Sequence, residues 1–316
     1  MMNVVVKKLK EALFIQENKD NYTFPLEDIK QATQNFHDNN CLGGRGFKKV
    51  YKGNLHDGEG VTTIVANRYE QGEKQFLREL QVVWEYKHKN VIGLVGYCNE
   101  QDEKIIVYEY ASRESLDRYL NDASLTWMQR LNICIDIASA LDFIHEGVKK
   151  QARVIHRDIK AANILLSDDW KAKLAGFGLS LISPINQESN YVIDRVCGTS
   201  GYLDPLYTKF GFLTIESDIY SFGVVLFEIL CGRSTFATHK HEGHYLPDFI
   251  KNKFEEGKHE EVVFDQIREQ IVPESLTAFQ EIAYQCLHHE REKRPTAEEV
   301  LIQLQMALAF QISKGE

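Results

Sequence analysis

A carboxylate, an ammonium group and an amide lie in one short segment of this sequence, at Asp158, Lys160 and Asn163. A carboxylate can accept a proton from an attacking hydroxyl, and an amide oxygen can bind a divalent cation. The tripeptide Gly176-Phe177-Gly178 follows shortly afterwards and contains no carboxylate. Magnesium prefers carboxylate and phosphate oxygens, so Asn163 alone is a weak ligand for it. These residues therefore offer a proton acceptor and a poor place for a metal.

The elements that must position these side chains change character along the chain. Residues 36–65 are strand-like, with glycines and β-branched runs. Residues 73–86 predict a helix, because their apolar side chains recur at helical spacing. Apolar runs at residues 91–97 and 105–110 predict two buried strands.

Helices predominate after Ser115. The pattern predicts an amphipathic helix at residues 126–145, a largely apolar one at 217–230, and a last one from Pro295 to near Ile312. A small β-rich part followed by a larger helical part predicts the α+β class, with two lobes and a cleft between them.

The same sequence patterns set the predicted domain boundaries. We expect an N-terminal extension at residues 1–22 and a single domain at residues 23–312. Within it, the β-rich lobe would take about residues 36–111 and the helical lobe about residues 112–312.

Composition excludes several classes of protein. The 316 residues carry a formal net charge of −9, which argues against a nucleic-acid partner, because phosphate backbones require a basic surface. No apolar run reaches the roughly 18 residues of a membrane span. Six scattered cysteines without a C-x-x-C pair indicate reduced thiols and no zinc site. The polar tract at residues 239–244 is interpreted as a solvated loop.

An ordered series of motifs identifies a family. The motifs are FPLEDIKQAT at 24–33, VYEYA at 107–111, VIHRDIKAANILL at 154–166, GTSGYLDP at 198–205 and SDIYSFGVV at 217–225. Over about residues 24–312 the chain resembles the plant receptor-like kinase family. Within that family it is most similar to the cytoplasmic domains of malectin-type receptor kinases. The resemblance implies the bilobal protein-kinase fold.

The resemblance also assigns roles to the segment around Asp158. Asp158 would accept the proton of the substrate hydroxyl, Lys160 would lie near the transferred phosphate, and Asn163 would bind a metal. Arg157 would pair with a phosphorylated activation loop, and Asp218 would anchor the backbone of the segment. The same residues organise the fold, so their presence is compatible with a scaffold as well as with catalysis.

The phosphate-handling positions depart from the family pattern. Gly176 stands where the family carries the aspartate that binds magnesium, a loss worth several kcal/mol and a rate lower by roughly 10³ or more. In the glycine-rich loop at residues 42–50, Gly43 and Val50 match, whereas Arg45 and Lys48 replace glycines. A side chain at Arg45 would crowd the approach of backbone N–H groups to phosphate.

The lysine of the third strand is also missing. Residues 65–68 match V-A-I-K with Arg68 at the lysine, because period two would place Ala66 and Arg68 on one face. Glu79 matches the helix glutamate, and an Arg68–Glu79 ion pair could hold that helix without supporting catalysis. Two interpretations of Lys48 stay open: a substitute for the lysine, as in the with-no-lysine kinases, or a solvated loop charge.

The apolar framework of the family is complete. The residues that would form the spine between lobes are Val83, Leu94, His156 and Phe177. The residues that would contact ATP are Leu42, Gly43, Lys48, Val50, Ala66, Tyr108, Glu109, Ala111 and Leu165. Tyr108 would be the gatekeeper, with Glu109 to Ala111 as the hinge. Leu206 replaces a glutamate, which is expected to leave Arg294 without its usual partner.

These observations favour a pseudokinase that acts as a scaffold or allosteric partner of active receptor-like or cytoplasmic kinases. The alternatives are a weak serine/threonine kinase that uses Lys48 and Asp158, and a nucleotide-gated switch that binds ATP without transferring phosphate. ATP is compatible with the sequence, whereas Mg²⁺ has lost a ligand. We expect a cytoplasmic protein that partners recruit to the plasma membrane. One segment contains Ser183, Ser189, Thr199 and Ser200. These residues could be phosphorylated by a partner kinase, or they could be ordinary polar residues of a loop.

Overall fold

The computed structural model describes residues 22–45, 48–57, 60–69, 72–147, 152–184 and 191–314. Gly46, Phe47, Ser189 and residues 1–21 of the predicted extension lie outside the described residues. The described part divides into two compact units. The first takes the described residues up to Lys87 together with Ile92–Tyr110, and the second takes His88–Val91 and the chain from Ala111 onwards.

The first unit is an antiparallel five-stranded sheet with a helix on each face. Its strands are β1 (Cys41–Arg45), β2 (Lys48–Asp57), β3 (Gly60–Tyr69), β4 (Leu94–Glu100) and β5 (Glu103–Glu109). They lie in the order β1-β2-β3-β5-β4. Helix α1 (Leu26–Ala32) packs against β2, and helix α2 (Glu73–Glu85) packs against β4 and β5.

Strand alternation gives this sheet two covered faces. Ala66 pairs across the sheet with Val107, and both pack in an apolar cluster with Ile29 of α1. On the other face, Tyr108 pairs with Val65. Successive side chains of a strand point to opposite faces, so the register decides which residues meet α1 and which meet α2.

The second unit is mainly helical. Its helices are α3 (Trp127–Glu146), α4 (Pro205–Phe210), α5 (Ile215–Cys231), α6 (Thr235–Glu242), α7 (Leu246–Glu255), α8 (Asp265–Arg268), α9 (Pro273–Cys286) and α10 (Ala297–Lys314). Its strands are β6 (Glu114–Ser115), β7 (Ala152–Ile155), β8 (Ile164–Leu166), β9 (Ala172–Leu174), β10 (Leu181–Pro184), β11 (Val192–Ile193) and β12 (Phe212–Leu213). They form the small sheets β6-β8-β9, β10-β7 and β11-β12. The predicted α+β class, β-rich first and helical afterwards, is confirmed.

Helix α5 is the central helix of the second unit. Almost all of its side chains are buried, as its apolar composition predicts. Helix α9 approaches it closely at Gly223, where a Cβ would lie 2.7 Å from Cβ of Cys286. Helix α10 packs against α3 and α9. A capping box of Thr126 and Gln129 begins α3 and satisfies backbone donors there.

The tract at residues 239–244 is not the solvated loop that its polarity predicts. Its first four residues form the last turn of α6, which ends before Gly243 in the left-handed conformation. Ser234 begins this helix, because its hydroxyl accepts a hydrogen bond from the amide of Ala237. The His239 ring stacks on Tyr245 at a centroid distance of 4.4 Å. The loop prediction is therefore wrong, because the cap turns these polar residues into helix.

Among the described helices, no single one is long and apolar enough to cross a membrane. Helices α5 and α6 taken together meet that test by length and composition, with a bend of 73° between them.

Candidate functional site

A buried carboxylate on α5 fixes the backbone of the segment that carries Asp158. Oδ2 of Asp218 accepts a hydrogen bond from the His156 amide at 2.7 Å, and Oδ1 accepts one from the Arg157 amide at 2.9 Å. Oδ2 also lies 3.1 Å from Nε2 of His145. The predicted anchoring by Asp218 is confirmed, and the segment is held independently of any ligand.

The structure brings Asp158, Lys160 and Asn163 together and adds Thr199 to them. Lys160 Nζ donates to Asp158 Oδ2 at 2.6 Å, and Thr199 Oγ1 donates to Asp158 Oδ1 at 2.6 Å. Asn163 Nδ2 donates to the same Oδ2 at 3.1 Å. Both carboxylate oxygens of Asp158 are therefore engaged. A substrate hydroxyl would have to displace Thr199 or Lys160 before Asp158 could accept its proton.

Gly176 lies beside this network in the left-handed region, with φ of 85°. A Cβ at this position would lie 2.7 to 2.8 Å from the Cγ, Oδ1 and Nδ2 atoms of Asn163. An aspartate tolerates this backbone conformation better than most residues, but Asn163 would have to move to admit it. The Cβ of an aspartate at this position would thus meet the amide group of Asn163.

The residues around Gly176 do not fit a magnesium ion. Asn163 offers one neutral oxygen, and its Nδ2 donates to the backbone oxygen of Asp158 at 2.7 Å. Magnesium in proteins is usually bound through carboxylates together with phosphate oxygens. Among the described residues, the one group of three possible metal ligands is His288, His289 and Glu290, outside this network.

The side chains of strand β3 lie on the faces opposite to those predicted, because the prediction is displaced by one residue along the strand. Ala66 pairs with Val107 and lies on the face covered by α1, and Arg68 shares that face because it is two residues further along. Tyr108 pairs with Val65, so Val65 and Asn67 share the face that meets α2. Asn67 therefore occupies the place at which the sequence pattern puts a lysine, and it carries no charge. Ala66 cannot serve the adenine contact assigned to it.

The predicted Arg68–Glu79 ion pair is also wrong. Arg68 donates from Nε and Nη2 to the two carboxylate oxygens of Glu103, with Nε at 2.7 Å from Oε2. Its guanidinium lies 4.6 Å above the ring of Phe36. The two donors of the planar guanidinium match the two oxygens of a carboxylate. Because Arg68 lies on the face covered by α1, this pair is a contact within the sheet on that face.

Glu79 is instead surrounded by two tyrosines and one lysine. The Tyr108 hydroxyl donates to Oε1 of Glu79 at 2.8 Å, and the Tyr69 hydroxyl donates to Oε2. Burial, together with the charge of Glu79, raises the pKa of both phenols, so they stay protonated as donors. Lys48 pairs with Tyr69 across the sheet, and its Nζ lies 3.8 Å from Oε1 of Glu79. Lys48 is thus not simply a solvated loop charge.

Tyr69 and Asn67 were missed by sequence reasoning, although one signal pointed to them. The gatekeeper assignment of Tyr108 fixes the face of β5 that meets α2, and antiparallel pairing then carries that face to Val65, Asn67 and Tyr69.

The other predicted ligand contacts are distributed over both units. In the first unit, Val50 pairs with both Gly43 and Asn67, Leu42 lies on β1, and Glu109 accepts a hydrogen bond from the Gly93 amide at 2.6 Å. In the second unit, Ala111 is buried. Leu165 is half-buried between fully buried neighbours on β8. Their contact with ATP stays a prediction.

Arg294 lacks the glutamate of the family pattern at position 206, as expected, but it has another carboxylate as a partner. Arg294 Nη2 donates to Oδ1 of Asp204 at 3.0 Å, and its Nε and Nη1 donate to the backbone oxygens of His288 and Glu216. Arg291 donates twice to the other oxygen of Asp204, at 2.6 and 2.8 Å. Asp204 therefore replaces the glutamate that is absent at Leu206.

Comparison with known proteins identifies the family of the chain. Residues 36–304 match the family model described as the protein kinase domain. The chain is 40% identical over 296 residues to the receptor-like protein kinase HERK 1 of Arabidopsis thaliana, covering 92% of this chain and 35% of HERK 1. It is 39% identical over 293 residues to ANXUR2 of the same plant, covering 91% of this chain and 34% of ANXUR2. It is 38% identical over 302 residues to FERONIA, also from Arabidopsis thaliana, covering 93% of this chain and 33% of FERONIA. The chain spans about a third of the length of these relatives.

Proposed function

We propose that this chain, which belongs to the protein kinase domain family and is similar to plant receptor-like protein kinases, is a pseudokinase. It signals by binding protein partners, among them active receptor-like or cytoplasmic kinases, as a scaffold or allosteric regulator. Its proposed place in the family is beside the malectin-type receptor kinases. The observation that carries the proposal is Gly176, which has no carboxylate and whose Cβ space is filled by Asn163.

The chemistry of phosphoryl transfer explains why this observation weighs so much. The reaction depends on positioning and on neutralising charge at the transferred phosphate. Mg²⁺ would supply most of that neutralisation when bound, and loss of a carboxylate ligand costs several kcal/mol, or about 10³-fold in rate. Asn67 adds a second loss, because an amide on the Glu79 side of β3 brings no cation to phosphate.

What the chain keeps is the packing that presents binding surfaces. Phe177 is fully buried and its ring lies 4.7 Å from that of His156. Asp218 holds the Asp158 segment in place without a nucleotide. A fold maintained by such contacts can bind partners whether or not it transfers phosphate. ATP, if it binds, is proposed to use Tyr108, Glu109 and the other residues assigned with them except Ala66.

We expect the purified chain to transfer radiolabelled phosphate from ATP no faster than its Asp158→Asn variant. The reason is the missing carboxylate at Gly176, beside which the nearest side chain is the neutral amide of Asn163. Transfer to the chain itself and to a generic protein substrate is measured with Mg²⁺ and with Mn²⁺. Melting temperatures with and without ATP are recorded in parallel. Transfer well above the Asp158→Asn level would overturn the pseudokinase proposal, and a melting temperature unmoved by any nucleotide would remove the nucleotide-gated switch.

A weak kinase is the second candidate, and the position of Lys48 favours it. Its Nζ lies 3.8 Å from Glu79, where it could hold the helix glutamate and contact phosphate. The test restores the carboxylate first. We expect Gly176→Asp to stay at background transfer, because Asn163 crowds position 176 and the uncharged Asn67 brings no cation to phosphate.

The matched variants for that test lie on opposite faces of β2. Lys48 faces α2 with Tyr69, whereas Lys49 pairs with Arg68 on the α1 face. If Gly176→Asp gained activity and then lost about 100-fold or more on Lys48→Met but not on Lys49→Met, Lys48 would be the competent lysine. The weak-kinase candidate would then replace the pseudokinase.

A further inference from the structure

The guanidinium of Arg157 ties two distant parts of the second unit to the Asp158 segment. Its side chain is only 1% exposed. Nη1 donates to the backbone oxygen of Leu179 at 3.3 Å, and Nη2 donates to the backbone oxygen of Arg195 at 2.8 Å. Nη2 also donates to the Tyr207 hydroxyl at 2.7 Å. These partners lie on both sides of residues 185–190, which are outside the described part of the chain.

Those three partners are neutral, and the charge of Arg157 is balanced by Asp194. Oδ2 of Asp194 accepts a hydrogen bond from Nη1 of Arg157 at 3.0 Å. No other described carboxylate forms an ion pair with this guanidinium. A buried cation without a counter-charge is costly, so Asp194 is the group that makes this arrangement favourable.

Asp194 also organises its own surroundings. Its Oδ1 accepts a hydrogen bond from the Arg195 amide at 2.8 Å, and its own amide donates to the backbone oxygen of Gly211. Tyr207 closes the arrangement, because its hydroxyl donates to the Arg195 oxygen at 2.9 Å and accepts from the Cys197 amide at 3.2 Å. One carboxylate thus links the strand pair β11-β12 to the segment around Asp158.

We propose that Asp194 is a built-in substitute for a phosphate and keeps residues 191–213 ordered in the unphosphorylated chain. In kinases that are switched on this segment, a phosphorylated residue supplies the anion that an arginine recognises. Here the anion is encoded in the sequence and is permanent. The regulation that follows is independent of whether the chain transfers phosphate, so this inference does not rest on the pseudokinase proposal.

The surroundings of Thr199 support the same conclusion. Its hydroxyl is 2.6 Å from Oδ1 of Asp158 and accepts a hydrogen bond from Lys160 at 2.8 Å. A phosphate carries about −1.5 to −2 charges and would be forced against the Asp158 carboxylate. Phosphorylation of Thr199 would therefore disrupt this network, whereas Asp194 completes the neighbouring one.

The test compares the unphosphorylated chain with a charge-removing variant of the same shape. Protein treated with phosphatase and verified by intact mass is probed by hydrogen–deuterium exchange over residues 191–213 and by trypsin cleavage after Arg195. We expect protection in the unphosphorylated wild type and about tenfold faster cleavage in Asp194→Asn, the effect of losing one charged hydrogen bond. Asp194→Glu keeps the charge and is expected to retain part of the protection.

Asp265→Asn is the matched control, because Asp265 is 91% exposed and pairs with Arg268 at 2.9 Å. It should leave exchange at residues 191–213 unchanged. Unphosphorylated wild type that is cleaved as fast as Asp194→Asn would overturn the proposal. So would a wild type that gains about tenfold protection only after an active kinase has phosphorylated it, a comparison that needs no variant.

Discussion

Replacement of Asp204 by alanine is expected to lower the free energy of unfolding of the second unit by about 3 to 5 kcal/mol. Asp204 is fully buried and is the shared counter-charge of Arg291 and Arg294, whose side chains are 12% and 0% exposed. It also accepts hydrogen bonds from the Ser217 hydroxyl at 2.9 Å and from the Leu206 amide at 2.9 Å. Its removal leaves a buried guanidinium without any anion, which costs far more than a lost surface pair.

The ionisation of Asp204 supports this expectation. Burial alone would raise the pKa of this carboxyl, but the hydrogen bond and charge of Arg294, with those of Arg291, hold the pKa below its usual value. The group is therefore an anion throughout the neutral range. Its interactions are those of a charge and not of a neutral acid.

Thermal and urea unfolding measure the effect. A loss of this size corresponds to a melting temperature lower by about 10 °C in a domain of this length. Leu206→Glu is the control, because it restores the glutamate of the family pattern. It should change the free energy of unfolding by less than about 1 kcal/mol, because Asp204 already pairs with Arg294. A stabilisation of several kcal/mol by Leu206→Glu, or a neutral Asp204→Ala, would show that Asp204 is not the structural anion.

The four long helices expected from apolar spacing could be predicted closely because their patterns are long and local. The helix expected at residues 73–86 is α2 (Glu73–Glu85), and the one expected at 217–230 is α5 (Ile215–Cys231). Apolar spacing alone decides such elements. The α+β class followed from the same patterns, whereas the roles of the Asp158 segment were implied by the family resemblance.

Strand β3 shows where local information fails. Ala66 is fully buried and Asn67 is only 7% exposed, so alternation between a buried and an exposed face is not visible in its sequence. A strand phase taken from the V-A-I-K motif is one residue out, and a shift of one residue places every side chain on the opposite face. Cross-strand pairing with Tyr108 settles it, and that pairing lies outside the local sequence.

The polar contacts of the second unit show a different limit of prediction from sequence. Thr199 meets Asp158 across 41 positions of sequence, and Arg294 meets Asp204 across 90. No spacing rule connects residues so far apart, since tertiary packing alone brings them together. The family pattern predicts some of these pairs. For Arg294, however, it points to position 206 as the place of the partner, whereas the partner in the structure is Asp204.

Glu228 is a buried carboxyl whose protonation should make the stability of the chain depend on pH. It lies on α5 and is 0% exposed. Its Oε1 accepts hydrogen bonds from the Tyr202 hydroxyl at 2.7 Å and the Thr235 amide at 2.8 Å, while Oε2 has no partner among the described residues. Burial raises its pKa from the ordinary value to about 8, and the hydrogen bonds from Tyr202 and Thr235 offset only part of that rise.

We expect the free energy of unfolding of the wild type to fall by about 2 to 3 kcal/mol between pH 6 and pH 9 relative to that of Glu228→Gln. Below pH 8 the native state holds a proton on Glu228, whereas the unfolded chain releases it near pH 4.3, so the native state binds more protons across that interval. Stability from this group is therefore complete at low pH and is lost as pH rises through about 8. Glutamine keeps the neutral shape at every pH, which removes the slope.

Melting temperatures measured in matched buffers from pH 6 to pH 9 test this expectation, with a divergence of about 5 to 10 °C between wild type and Glu228→Gln at the alkaline end. Glu281→Gln, at an exposed position of α9, controls for the loss of one carboxylate and should follow the wild type. Parallel curves for wild type and Glu228→Gln would mean that Glu228 is ionised in the native state. In that case Tyr202 and Thr235 would stabilise a buried anion, and its removal should then destabilise the chain at all pH values in this range.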